Sequence, residues 1–100
     1  MIYGDINTWD VSQITDFSEL FKDKRSFNSD ISNWDVSNGI NFDAMFWNAS
    51  SFNQDISSWD VSSSSDFTAM FYGVNVFNQD IGNWDVSSGT DFHWMFSYAS

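Results

Sequence analysis

One register runs through the whole sequence without a slip. Trp recurs at Trp9, Trp34, Trp59 and Trp84, always 25 residues apart in a chain of 100. Asp and Val travel with it (Asp10-Val11, Asp35-Val36, Asp60-Val61, Asp85-Val86), and Ile6, Ile31, Ile56 or Ile81 stands three residues before it. Downstream come Phe17, Phe42, Phe67 and Phe92, then Leu20, Met45, Met70 and Met95, each followed by another Phe. No 25-residue unit can bury its own apolar side, so units of this kind stack and share a core. The chain reads as one domain of four units, 1–25, 26–50, 51–75 and 76–100.

Two secondary-structure periods are present within each unit. Trp34 and Val36 are two apart, the spacing of one face of a strand. Phe42, Met45 and Phe46 stand at i, i+3, i+4, the spacing of one helical face. Asp16, Asn41, Asp66 and Asp91 precede the first Phe of each such run and read as N-caps, Asp16 with Glu19 forming a capping box. The expected fold is therefore an α/β repeat solenoid, leucine-rich-repeat-like, of four coils, each with one short strand and one short helix. A β-solenoid with little helix is the alternative.

The spacing Ile-x2-Trp-x-Val resembles the strand segment of a leucine-rich repeat. The longer signature, F-N-Q-D-I-S-S-W-D-V-S at 52–62 followed by D-F-T-A-M-F-Y-G at 66–73, resembles the 25-residue repeat of BspA-like and mycoplasma surface proteins, a domain of unknown function. That resemblance covers the whole chain. It implies a surface-exposed repeat array with adhesion or recognition as its role, at the cell surface or outside the cell. The Asn column of leucine-rich repeats is missing: Ile14, Gly39, Ser64 and Gly89 fill that slot.

The 14 acidic residues against three basic ones leave a net charge of −11, which excludes a phosphate-tracking surface and hence nucleic acid as a partner. High charge usually accompanies disorder, but 20% of the residues are aromatic, which opposes it. No Cys is present, so disulfides, thiolate metal sites and Cys nucleophiles are out. No apolar stretch is long enough to insert in a membrane, and MIYGDINTWD lacks the layout of a signal peptide. Catalysis needs an asymmetric constellation, and the regular acid columns with a single His93 supply none; the expected protein is not an enzyme.

On an alternating strand the Asp between Trp and Val turns outward. Asp10, Asp35, Asp60 and Asp85 then form a ladder flanked by Asn33, Ser58 and Asn83 on one side and Ser37, Ser62 and Ser87 on the other. This polar grid is the candidate binding face for a protein or carbohydrate ligand. The ladder residues are also the candidate metal site, since calcium accepts oxygen ligands of this kind. Like charges in adjacent layers repel, so serine donors, a counter-ion or a cationic partner must offset them. A second acidic column, Asp5, Asp30, Asp55 and Asp80, reads as turn-forming. Asn28, Asn53 and Asn78 read as an internal amide ladder. Trp47, Tyr72, Trp94 and Tyr98 lie outside the core columns and offer stacking surface for sugars or proteins. Lys22, Lys24 and Arg25 make the first unit an atypical, more polar cap. Because position 101 would share a column with Met1, the units are expected either to belong to a longer array or to self-associate head to tail.

Overall fold

The computed structural model describes residues 6–97. Its hydrogen bonds carry the same period as the sequence. The amides of Phe17, Glu19, Phe21 and Asp23 donate to the carbonyls of Asn41, Asp43, Met45 and Trp47 at 2.7–2.9 Å. The set recurs from Phe42, Ala44, Phe46 and Asn48 to the third unit, and from Phe67, Ala69, Phe71 and Gly73 to the fourth. Parallel bridges Asp16–Asn41, Asn41–Asp66 and Asp66–Asp91 hold the units in register.

Inside a unit, regular secondary structure is nearly absent. A single 3-10 turn, Ile6–Thr8, is the only helical element among the described residues, and no sheet forms, only isolated bridges. The expected α/β solenoid of strand-and-helix coils is therefore corrected, and so is the β-solenoid alternative, which also requires a sheet. Each unit is instead a succession of β-turns. Trp34 N–H donates to Ile31 C=O, Gly39 to Val36, Met45 to Phe42, Ala49 to Phe46 and Phe52 to Ala49. The first and fourth residues of a β-turn lie within about 7 Å of each other. Ile-x2-Trp, Phe-x2-Met and Phe-x2-Ala thus place both ends of a turn on the core side, while of the central residues Ala44 and Ala69 are themselves buried.

Backbone conformation excludes the helix directly. Glu19, Asp23, Ala44, Asn48, Ala69 and Trp94 have φ between +52° and +62°, and Gly73 has +75°. A right-handed helix needs negative φ at every position. In each of the first three units two left-handed residues, four apart, instead point their amides across to the next unit, where each meets a carbonyl of the column one residue earlier, as Glu19 meets Asp43 and Asp23 meets Trp47. The expected N-caps change role accordingly. Asp16, Asn41, Asp66 and Asp91 accept from the amides of Ser18, Asp43, Thr68 and His93, two residues on, closing Asx-turns rather than capping helices.

Three phenylalanine ladders fill the core. Phe17, Phe42, Phe67 and Phe92 stack at 5.3–5.9 Å, and Phe21, Phe46, Phe71 and Phe96 at 5.4–5.6 Å. Phe27, Phe52 and Phe77 form the third at 5.8–5.9 Å. Each indole lies against the preceding unit, donating to the carbonyl of its Ile: Trp34 to Ile6, Trp59 to Ile31 and Trp84 to Ile56, at 2.8–3.1 Å. Each of these carbonyls also accepts the turn bond from the Trp amide of its own unit, so the indole N–H supplies its second hydrogen bond. At Gly39, in the slot where leucine-rich repeats keep Asn, a Cβ would stand 2.7 Å from the Phe42 ring, so in this unit the ring occupies the space that a side chain would take. Ser64 fits the same slot fully buried because its hydroxyl donates to Ile40 C=O at 2.9 Å.

Candidate functional site

The ladder of Asp10, Asp35, Asp60 and Asp85 lies exposed on one side of the stack. Every one of these carboxylates accepts the amide of the serine two residues on at 3.0 Å. In the first three units the same serine's hydroxyl donates as well, at 2.5–2.6 Å. The second acidic column behaves alike: Asp30, Asp55 and Asp80 accept the amides of Ser32, Ser57 and Gly82. With the Asx-turns of the third column, all three acidic columns close turns, and each stands immediately before an inward apolar residue. Asn33, Ser58, Asn83 and Ser87 are exposed beside the first ladder, while Ser37 and Ser62 are half-buried. Among the described residues no group of three or more His, Asp or Glu side chains is disposed to hold a metal ion.

Serine hydroxyls and amides hold the carboxyls of Asp10, Asp35, Asp60 and Asp85 below the ordinary value of 3.8. Repulsion between ladder neighbours, Asp10 on Asp35 and Asp35 and Asp85 on Asp60, acts in the opposite direction and is outweighed. Asp16, Asp30 and Asp55 are lowered in the same way, and Asp91 is lowered by the amide of His93 and the side chain of Thr68. A carboxyl with a depressed folded-state value contributes stability that is complete above the unfolded value and lost as pH falls through the folded one. The melting temperature is therefore expected to be flat above about pH 5 and to fall below about pH 4. Asp43 has the opposite sign, because burial raises it, with Asp66, Glu19 and Asp91 adding repulsion. Eight lowered groups against one raised group set the direction. A melt whose midpoint rises between pH 5 and pH 3 would mean that relief of net charge dominates instead.

A different feature stands on another side of the stack. Trp47 and Tyr72 occupy the same column, half-buried, with rings stacked at 4.5 Å. Trp94, from the left-handed column of the fourth unit, tilts against Tyr72 at 6.4 Å and is 55% exposed. At the other end Lys22 covers the Trp47 ring at 5.3 Å while pairing with Glu19 at 3.7 Å. The row is bordered by Asp43 and Thr68, both half-buried, and by exposed His93, whose ring lies 4.5 Å from Trp94. It is thus a strip of aromatic surface with polar groups along one edge.

The family described as Mycoplasma protein of unknown function, DUF285, matches residues 1–100. The chain belongs to it. No curated protein and no solved structure matches. For this family member the two candidate surfaces thus stand on geometry alone.

Sequence reasoning placed Trp47, Tyr72 and Trp94 outside the core columns but not in one row, since Trp94 comes from a different column. Tyr98, named with them, lies outside the described residues, as does Asp5 of the second acidic column. Asp43 was missed. Its signal is that it stands where the other units carry Ser18, Thr68 and His93. The asparagine ladder forms, with Asn53 N–H donating to the Asn28 side chain at 2.8 Å and Asn78 N–H to Asn53 at 2.9 Å. It runs along the surface rather than inside, and Gln54 and Gln79 extend it.

Proposed function

We infer that this chain is a non-catalytic recognition module, adhering to carbohydrate or protein at a cell surface. The observation that carries this reading is the aromatic row of Trp47, Tyr72 and Trp94. Aromatic side chains that are not needed to fill the core and remain partly open to solvent are typical anchors of binding surfaces. Their faces and edges suit the C–H-rich side of a sugar ring, and Asp43, Thr68 and His93 stand within the same strip to fix orientation. The resemblance to BspA-like repeats supports both the adhesive role and the extracellular or cell-surface location. The non-catalytic part rests on the acid columns, whose members each close a turn and are equivalent from unit to unit.

Binding of the 100-residue chain to a glycan array and to immobilised host-cell surface protein tests the reading. The double variant Trp47→Ala/Tyr72→Ala is expected to lose at least about tenfold in binding, as truncation of aromatic anchors does. Asp35→Asn/Asp60→Asn is expected to bind like the parent. The reverse pattern would move the binding surface to the Asp10–Asp85 face, and absence of binding to either array would sink the proposal.

A further inference from the structure

One Asn–Gly pair occurs in the sequence, Asn38–Gly39, and it lies where the second unit meets the first. Such a pair is prone to cyclise, because glycine puts no Cβ in the way of its own amide nitrogen. The Gly39 nitrogen attacks the side-chain carbonyl carbon of Asn38. A nitrogen–carbon bond forms, the bond to Nδ2 breaks, and ammonia leaves with the proton of the Gly39 amide. Asn38 is exposed, so water, the one co-reactant, reaches the cyclic imide and opens it at either carbonyl. The product is aspartate at position 38, or isoaspartate, in which the main chain runs through the former side chain.

The closed fold holds this reaction back at each atom it needs. The Gly39 amide donates to Val36 C=O at 2.8 Å, so the attacking nitrogen is engaged. The leaving group is engaged too: Asn38 Nδ2 donates to Ser12 C=O of the first unit at 2.7 Å. Asn38 is the third residue of the Val36–Gly39 turn and its φ is not positive. In such a type I turn a ψ of about 0° does not bring the following nitrogen onto the side-chain carbon. Gly39 itself is buried under the Phe42 ring.

In a stacked array each joint carries its own interface energy, and a local opening costs less than global unfolding. Opening the first joint frees Nδ2 from Ser12 and, two residues on, the Ile40 amide from Thr15 C=O, which it meets at 2.8 Å. We propose that Asn38–Gly39 is a modification site gated by the joint between the first and second units: closed, the pair is protected; opened, it deamidates and the joint stays open. Reclosing fails because a carboxylate then faces the Ser12 carbonyl in place of an amide donor, in a chain whose net charge is already −11. Isoaspartate also lengthens the main chain beside Gly39, where the Phe42 ring leaves no room.

Peptide mapping by mass spectrometry of the chain kept warm at neutral pH, with and without urea, is the test. Deamidation at Asn38 is expected to be at least about tenfold slower without urea, since only the open fraction reacts. In urea Asn38 is expected to react before Asn28, which is followed by the bulkier Ser29. Asn38→Gln, carrying the residue type of Gln13 in the same slot of the first unit, is expected to remove the reaction because its longer arm cyclises poorly. Phe21→Ala takes a ring from the first joint, where Phe21 stacks on Phe46, and is expected to speed the native reaction more than Phe77→Ala, whose ring stacks on Phe52 and Phe71. The deamidated state is mimicked by Asn38→Asp. This variant is expected to lower hydrogen-exchange protection of the Phe17 and Phe21 amides, which cross the first joint, by about tenfold and to leave Phe67 and Phe71 unchanged. Equal rates with and without urea overturn the proposal, as does reaction first at another asparagine. So do equal effects of Phe21→Ala and Phe77→Ala, which make global unfolding the gate, and parental protection of Phe17 and Phe21 in Asn38→Asp.

Discussion

Phe46→Ala is expected to destabilise the fold by about 3–5 kcal/mol, the cost of deleting a fully buried aromatic ring and leaving its cavity. Phe46 and Phe71 are the most connected rings among the described residues. Phe46 stacks between Phe21 and Phe71 at 5.6 and 5.5 Å, lies 4.2 Å from Phe52, and packs against Trp59. All four of its ring partners belong to a different unit, so no local movement can refill the space. With small domains stable by about 5–15 kcal/mol, the loss takes up a large share of the total. Urea unfolding followed by tryptophan fluorescence measures it. Trp47→Ala, in the half-buried surface row, is expected to cost well under half as much. Equal losses at the two positions would show that the ladders do not dominate stability.

Gly73→Val is expected to cost about 2 kcal/mol or more, and Glu19→Gly to gain about 0.5–1 kcal/mol. Both follow from the left-handed residues that build the turns. Gly73 has φ +75°, and a Cβ there would press on the side-chain oxygen of Asn48 in the layer below. That oxygen can shift, so the larger part of the cost is the strain of a β-branched residue in the left-handed region. Glu19 is exposed at φ +60° and already bears that strain. Glycine relieves it, and the surface pair lost with Lys22 is worth little. Were residues 17–21 helical, the sign would reverse, because glycine in a helix interior costs up to about 1 kcal/mol. The direction of the change in thermal midpoint for Glu19→Gly therefore separates turn from helix in one measurement.

Why the helix was expected is instructive. Phe42, Met45 and Phe46 at i, i+3, i+4 fit a helical face, but i and i+3 are equally the two ends of a β-turn. Trp34 and Val36, two apart, fit a strand, yet Val36 opens a new turn that closes at Gly39. Sequence spacing reports which residues share a side, and both structures satisfy it. One signal favoured turns: the column Asp23, Asn48, Gly73 holds residue types that tolerate positive φ. Its companion column, Glu19, Ala44, Ala69, Trp94, hides the same conformation behind residues that favour helices.

The candidate surfaces divide in the same manner. The Asp10–Asp85 ladder was legible because one residue type recurs in one column. Its chemistry was not, since only the hydrogen bonds show that each carboxylate is engaged by its own serine. The aromatic row was legible residue by residue but not as a row, because Trp94 stands in the column of Glu19, Ala44 and Ala69 and meets Tyr72 of another column only through its ring.

By itself the sequence determined the 25-residue register, the inward columns of Trp, Phe, Ile, Val and Met, and the outward placement of the acids. Burial is paid per column, and a column is a property of spacing. The tertiary structure decided the backbone path between those columns. Each unit reaches its neighbours through amides that a left-handed residue turns outward, and the energy that selects that path comes from hydrogen bonds between layers, which no single unit contains.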